Sequence, residues 1–185
     1  MTSTLLLYSS TDGHTRKIAE RVAARFERHE HPIQIVNADD IGEIVLDEFQ
    51  AVIVGAPVRY GKHDRRIVNF LEENAERLGK KPNAFFSVNL IARTPAKRTA
   101  DGNSHVSKFL EQLEFEPAHV EVFPGNLDYP SYRWFDRFAI RMIMKMTGGP
   151  TKGTEIIDFT DWEQVDDFGN RMVKQFYGSG AGDAV

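Results

Sequence analysis

Tyr8-Ser9-Ser10-Thr11-Asp12-Gly13-His14-Thr15 follows the apolar run Thr4–Tyr8 and leads directly into Thr15–Arg28, which carries apolar residues at helical spacing. Hydroxyls at Ser10, Thr11 and Thr15, on a backbone that Gly13 lets turn tightly, suit a phosphate whose charge the helix N-terminus favours. A triphosphate-binding loop needs Gly-Lys-Ser/Thr, and a dinucleotide fingerprint needs three spaced glycines. Neither is present, which counts against ATP and NAD. Taken alone, the stretch also fits an ordinary strand-to-helix turn capped by hydroxyl residues, so its surroundings decide.

Working outward, short apolar runs alternate with amphipathic stretches, the pattern of a parallel sheet buried between helices. Strands are predicted at Thr4–Tyr8, Ile33–Asn37, Ala51–Gly55 and Ala84–Asn89, with a fifth beginning near Val120–Phe123. Helices are predicted at Thr15–Arg28, Asp64–Leu78 and Ser104–Leu113, the last with Asn103 as N-cap. After the fifth strand the expected helix is delayed by Asn126–Gly153, a β-like run Glu155–Phe159 follows, and Trp162–Phe176 is helical, opened by a capping box Thr160-Asp161-Trp162-Glu163. The prediction is a doubly wound five-stranded parallel sheet with helices on both faces and a long insertion in the fifth-strand region. A single domain spans residues 1–177, the insertion occupies 126–153, and the small-residue tail 178–185 is expected to be disordered.

At 185 residues, 41% hydrophobic and 27% charged, the chain suits one well-filled α/β core. With no cysteine, thiolate metal sites, iron–sulfur clusters and thiol catalysis are excluded, so redox chemistry has to use an organic cofactor or a non-thiolate metal. No metal site is predicted. A net charge of −4 counts against a nucleic-acid partner. Leu5-Leu6-Leu7 follows no basic leader, which predicts a cytoplasmic chain without a signal peptide or transmembrane helix.

The opening loop resembles the FMN-phosphate loop of flavodoxins, Ser/Thr-x-Thr-Gly-x-Thr, with Asp12 where many members have threonine. In a doubly wound sheet, ligands sit beyond the C-terminal ends of strands where strand order reverses, so the loops after the first, third and fourth strands should meet there. The third strand ends in Gly55-Ala56-Pro57-Val58-Arg59-Tyr60-Gly61, similar to the flavodoxin loop that lays an aromatic ring on the isoalloxazine, and Tyr60 is the candidate stacker. Pro57 has no N–H, so no donor is available there. The fourth strand ends in Ser87-Val88-Asn89-Leu90-Ile91-Ala92-Arg93, whose backbone groups suit the flavin's pyrimidine edge while Leu90 and Ile91 cover its ring. Ser10, Thr11, Asp12, Gly13, His14 and Thr15, residues 57–61, and residues 87–92 make up the predicted FMN site.

Basic residues flank two of these loops. Lys62, Arg65 and Arg66 follow the third, and Arg93, Lys97 and Arg98 the fourth. Of these, Arg65, Arg93, Lys97 and Arg98 are the candidates to hold carboxylates of an anionic substrate; solvated helix-end charge is the plainer alternative for each. Within the insertion, Arg133, Arg137, Arg141 and Lys145 recur every four residues and would form one basic stripe on a helix, amid Trp134, Phe135, Phe138 and several methionines. Asn126–Gly153 carries five basic and two acidic residues, a net +3 against −7 for the rest. Arg133, Trp134, Arg137, Phe138, Arg141 and Lys145 are therefore candidates for contact with an anionic membrane surface, on a helix too short and too charged to span it. Packing on its own domain, or on a second subunit in a homo-oligomer, is the alternative.

Gly61 with Arg59-Tyr60, Ser87-Val88-Asn89-Leu90 with Ala92-Arg93, Tyr129-Pro130-Ser131-Tyr132-Arg133-Trp134, Met144-Lys145-Met146-Thr147-Gly148-Gly149 and Thr160-Asp161-Trp162-Glu163-Gln164-Val165 together resemble the menaquinone-dependent protoporphyrinogen IX dehydrogenases over all but the tail. The Tyr-Pro-x-Tyr-Arg-Trp stretch is far more specific than the phosphate loop. Pro57 and Val58 depart from the family, which often has other small or branched residues there. The resemblance implies oxidation of protoporphyrinogen IX to protoporphyrin IX in haem synthesis, through FMN, to menaquinone or another respiratory quinone at the cytoplasmic face of the inner membrane. No side chain in the sequence announces itself as an essential acid or base, so none is named as catalytic. A flavodoxin-type electron carrier and an NAD(P)H:quinone reductase are the alternatives; the basic insertion runs against the acidic docking face usual for a carrier, and nothing marks a nicotinamide site.

Overall fold

The computed structural model describes residues 3–128 and 156–178. Its elements are β1 (Ser3–Tyr8), α1 (His14–Arg28), β2 (Ile33–Asn37), β3 (Phe49–Arg59), β4 (Lys62–His63), α2 (Arg65–Glu73), α3 (Ala75–Gly79), β5 (Asn83–Asn89), α4 (Ser104–Leu110), β6 (Val120–Pro124), β7 (Asn126–Asp128), β8 (Ile156–Asp158) and α5 (Trp162–Tyr177). Five parallel strands lie in the order β2-β1-β3-β5-β6, as in the flavodoxin-like arrangement, and β4 pairs antiparallel with the far end of β3. The chain first moves outward from β1 to β2 and then crosses to β3 on the other side, so strand order reverses between β1 and β3.

Alternation along the strands fills two cores. Leu6, Tyr8, Ile53, Phe86, Val88 and Phe123 pack against α1 and α5 through Ile18, Val22, Phe26, Val165, Phe168 and Met172. Leu5, Leu7, Val52, Val54, Ala56 and Phe85 face the other way, onto Ile67, Phe70, Leu71, Leu78 and Phe109 of α2, α3 and α4. With both faces covered, the central strands are apolar at successive positions, as in residues 5–7 and 51–54, whereas the edge strands β2 and β6 carry Gln34 and Glu121. Gly55 in β3 faces the ring of Phe86 so closely that a Cβ there would stand 2.0 Å from Cζ.

Three local expectations are corrected. The helix predicted over Asp64–Leu78 breaks at Asn74 into α2 and α3; the Asn74 amide donates to the Phe70 carbonyl at 2.9 Å, a side-chain bond that competes with helix continuation. The helix predicted over Ser104–Leu113 ends at Leu110, although Asn103 caps it by accepting from the His105 N–H. The last helix is capped by Asp161, whose carboxylate accepts from Gln164 N at 3.2 Å, and not by Thr160, whose hydroxyl donates to the Pro124 carbonyl. The β-like run near 155–159 is β8, which pairs antiparallel with β7. The predicted basic helix within the insertion, with Arg133, Trp134, Arg137, Phe138, Arg141 and Lys145, and the tail beyond 178 lie outside the described residues. Among the described residues no helix is long and apolar enough to cross a membrane.

Candidate cofactor site

Strand register sets three loops side by side. Tyr8 pairs with Gly55 and Pro57 with Val88, so the loops after β1, β3 and β5 leave one edge of the sheet at the point where strand order reverses. In the first loop, Ser9 N–H donates to the Gly55 carbonyl at 3.0 Å, tying it to β3. Gly13 takes φ +83° and has nothing within 4 Å of where a Cβ would stand. The hydroxyls of Ser9 and Ser10 are buried and find no hydrogen-bond partner among the described residues. Buried polar groups are nearly always paired, so two orphaned hydroxyls beside a helix N-terminus are what an absent anion would leave behind. The Ser9 and Ser10 hydroxyls thus suit the phosphate of FMN, and Ser9 is a candidate that the sequence reading did not name. Thr11 and Asp12 are exposed, Thr15 is buried, and the Asp12 carboxylate accepts from the His14 N–H at 3.2 Å.

His14 differs from the other loop residues. Its ring is buried and Nε2 lies 2.6 Å from Thr160 Oγ1, in the turn between β8 and α5. Because that hydroxyl gives its proton to the Pro124 carbonyl at 2.9 Å, the imidazole has to be the donor. Burial lowers the His14 pKa, partly offset by Asp158, whose carboxylate is 3.7 Å away.

The second loop is a tight hairpin. Arg59 pairs with Lys62 and Val58 with His63, leaving Tyr60 and Gly61 as the two central residues, at φ +50° and φ +77°. This is the left-handed pair of a type I′ turn, which favours Asn-Gly or Gly-Gly. A tyrosine there is strained by about 1–2 kcal/mol, and the residue is 78% exposed. Strain of this kind collects at ligand-binding positions, and this turn holds an exposed aromatic residue at the end of β3. Pro57, Val58 and Arg59 are half-buried in the strand leading to the turn.

The third loop rests on a buried polar network. Asn89 Oδ1 accepts from Ala92 N at 3.1 Å and from Asn103 Nδ2 at 3.0 Å, holding residues 90–93 in a single 3-10 turn. Asn89 Nδ2 reaches Ser87 Oγ at 3.3 Å, and Ser87 Oγ in turn lies 2.9 Å from His63 Nε2. The network joins the base of the Tyr60 hairpin to the base of the 90–93 turn. Burial, and to a smaller degree His105, pushes the His63 pKa down to about 4, so the ring is neutral at physiological pH. Val88 is buried, while Leu90 and Ile91 are half-buried. His63 carries no motif that would have singled it out, and Asn103 announced itself only as a helix cap.

The cationic candidates separate by role. Arg98 Nε donates to the Ala92 carbonyl at 3.2 Å and Nη1 to Asp161 at 3.1 Å, so it braces the third loop. Arg93 reaches back to the Leu90 carbonyl at 3.3 Å. Lys97 is exposed on the next 3-10 turn, and Arg65 is exposed at the start of α2.

A flavodoxin-domain family model matches residues 5–154. Protoporphyrinogen IX dehydrogenase (quinone) of Escherichia coli strain K12 is 41% identical over 169 residues, covering 91% of this chain and 93% of that protein. The chain belongs to the quinone-dependent protoporphyrinogen IX dehydrogenase family. A Leishmania major protein of the same name is also 41% identical, over 87% of this chain and 70% of its own. The dehydrogenase family shares its fold with flavodoxins: oxidised flavodoxin 1 from Bacillus cereus superposes with a TM-score of 0.54 at 14% identity, covering 94% of this chain and 98% of that one.

Proposed function

We propose that this chain binds FMN in the three-loop cradle and oxidises protoporphyrinogen IX to protoporphyrin IX, with menaquinone or another respiratory quinone as acceptor. The observation that carries this is the 41% identity to a quinone-dependent protoporphyrinogen IX dehydrogenase over 91% of the chain. Bound FMN supplies the two-electron acceptor that is reoxidised by quinone, while the protein contributes binding, orientation and access. Removing six hydrogens from the macrocycle takes three such cycles and reduces three quinones.

Within this function the hydroxyls of Ser9, Ser10, Thr11 and Thr15 and the helix N-terminus hold the phosphate, for which the orphaned Ser9 and Ser10 hydroxyls are the support. Tyr60 stacks on the isoalloxazine, supported by its exposure in a strained turn. Residues 57–61 and 87–92 flank the ring, and Asn89 and Asn103 keep the third loop in shape. Arg65, Arg93 and Lys97 hold the propionates of the substrate, supported by their place beside the second and third loops. Arg98 belongs with them by position, although its bonds to Asp161 and Ala92 favour a bracing role. One FMN-binding domain covers residues 1–177 around the insertion 126–153. The basic and aromatic composition of that insertion supports peripheral attachment to an anionic membrane at the cytoplasmic face of the inner membrane.

The deciding experiment mixes FMN-loaded protein, protoporphyrinogen and a menaquinone analogue without air and follows porphyrin fluorescence. One porphyrin should appear for every three quinones reduced. A rate no higher with quinone than in the no-enzyme control would refute the assignment.

A further inference from the structure

We infer that the segment 156–161 and its partner strand β7 form a brace that holds the phosphate loop and the third loop in register, and that Thr160 is a positioning residue for FMN binding. The inference rests on the FMN assignment above and adds residues that touch neither phosphate nor ring.

Three ties converge on this short segment. Thr160 Oγ1 accepts from His14 Nε2 at 2.6 Å and donates to the Pro124 carbonyl at 2.9 Å, so one hydroxyl joins the first turn of α1 to the end of β6. Neighbouring Asp161 takes the Arg98 guanidinium at 3.1 Å, and the same side chain holds the Ala92 carbonyl of the third loop. Leu127 of β7 is fully buried and packs with Leu90 of the third loop, together with Ile157 and Phe159. Phosphate-loop and ring-loop contacts therefore meet on residues that follow one another in sequence. The His14 ring is further enclosed by Trp162, edge-on at 6.0 Å between centroids, and Trp162 Nε1 donates to Asp158.

Energetically, the hydroxyl is the weak point of this arrangement. Removing it leaves the buried His14 N–H and the Pro124 carbonyl without their partner, and the first turn of α1 is then free to shift away from the geometry that two buried serine hydroxyls require. Any such coupling is reciprocal, so FMN binding has to stiffen the brace by as much as the brace improves FMN binding.

Thr160→Val removes the hydroxyl at nearly constant volume, and Thr160→Ser keeps it. FMN and riboflavin titrations, read by quenching of flavin fluorescence, separate the phosphate loop from the ring loops. Thr160→Val should weaken FMN binding at least about fivefold, the lower end of couplings between sites. Riboflavin affinity should stay within about twofold, and Thr160→Ser should behave as wild type. An FMN affinity unchanged in Thr160→Val, or equal losses for FMN and riboflavin, would overturn the brace. Hydrogen–deuterium exchange on the wild-type protein needs no variant to fold: peptides covering 156–161 should exchange more slowly after loading with FMN than in the apoprotein, and identical rates would overturn the proposal. A wild-type protein that binds neither flavin overturns the functional assignment itself, an outcome distinct from binding that ignores Thr160.

Discussion

The buried His63 ring makes stability depend on pH in a defined window. Its centroid lies 5.5 Å from that of Phe85 and 4.3 Å from that of Phe109, its Nε2 meets Ser87 Oγ at 2.9 Å, and its pKa is pushed down to about 4. In the unfolded chain the same ring takes its proton near pH 6.5. Above that pH both states are neutral there and the ring adds no pH dependence. As the pH falls below about 6.5 the unfolded chain binds a proton that the folded chain refuses, so stability is lost at up to about 1.4 kcal/mol per pH unit until the folded ring protonates near pH 4. Across the window the loss is about 3 kcal/mol, a large part of a typical domain stability of about 5–15 kcal/mol. His14, also lowered by burial, adds a loss of the same sign. His63→Gln tests this, because the amide can still bond Ser87 Oγ and does not titrate. Urea unfolding at a series of pH values should show the variant less stable by about 1–2 kcal/mol near neutrality, from lost ring contacts, and markedly less sensitive to acid. Stability curves for variant and wild type that run parallel down to about pH 4 would refute the reasoning.

Gly55→Ala should destabilise the fold by about 1–3 kcal/mol, since the added methyl meets a Phe86 ring already packed by Phe123 and Phe168; an unchanged denaturation midpoint would contradict this. Tyr60→Gly should raise apoprotein stability by up to about 1 kcal/mol by relieving the left-handed turn while weakening FMN binding by about 1–3 kcal/mol. An unaltered FMN dissociation constant would remove Tyr60 from the site. Asp12→Asn should tighten FMN binding by about 0.5–1 kcal/mol, because the carboxylate places like charge at the helix N-terminus and occupies the His14 N–H; weaker binding by isothermal titration would reverse that assignment. Replacing Arg137, Arg141 and Lys145 together with glutamate should abolish sedimentation with anionic liposomes, each cation contributing roughly 1 kcal/mol near such a surface, while FMN stays bound. Undiminished sedimentation would assign the insertion another role.

The five-stranded parallel sheet, the strand-to-helix turn after β1 and the family were legible in the chain alone. The first two rest on short-range pattern: apolar runs of strand length, helical spacing of Ile18, Val22 and Phe26, and Gly13 among hydroxyl residues; the family rests on specific segments such as Tyr129-Pro130-Ser131-Tyr132-Arg133-Trp134. Tyr60 was legible as a candidate through the resemblance of residues 55–61 to a flavodoxin loop. What makes it unusual was not, because the left-handed turn exists only once β4, two residues long, folds back on β3. His63 became buried and neutral only when that hairpin set it against Ser87, Phe85 and Phe109. Thr160 shows the limit most clearly. Its neighbours read as a capping box, yet its hydroxyl is drawn to His14, 146 residues earlier, and to Pro124, and the cap passes to Asp161. Local propensity can choose an element and its period. Which polar groups end up sharing one buried volume depends on strand order and crossover, and so was decided only by the tertiary structure.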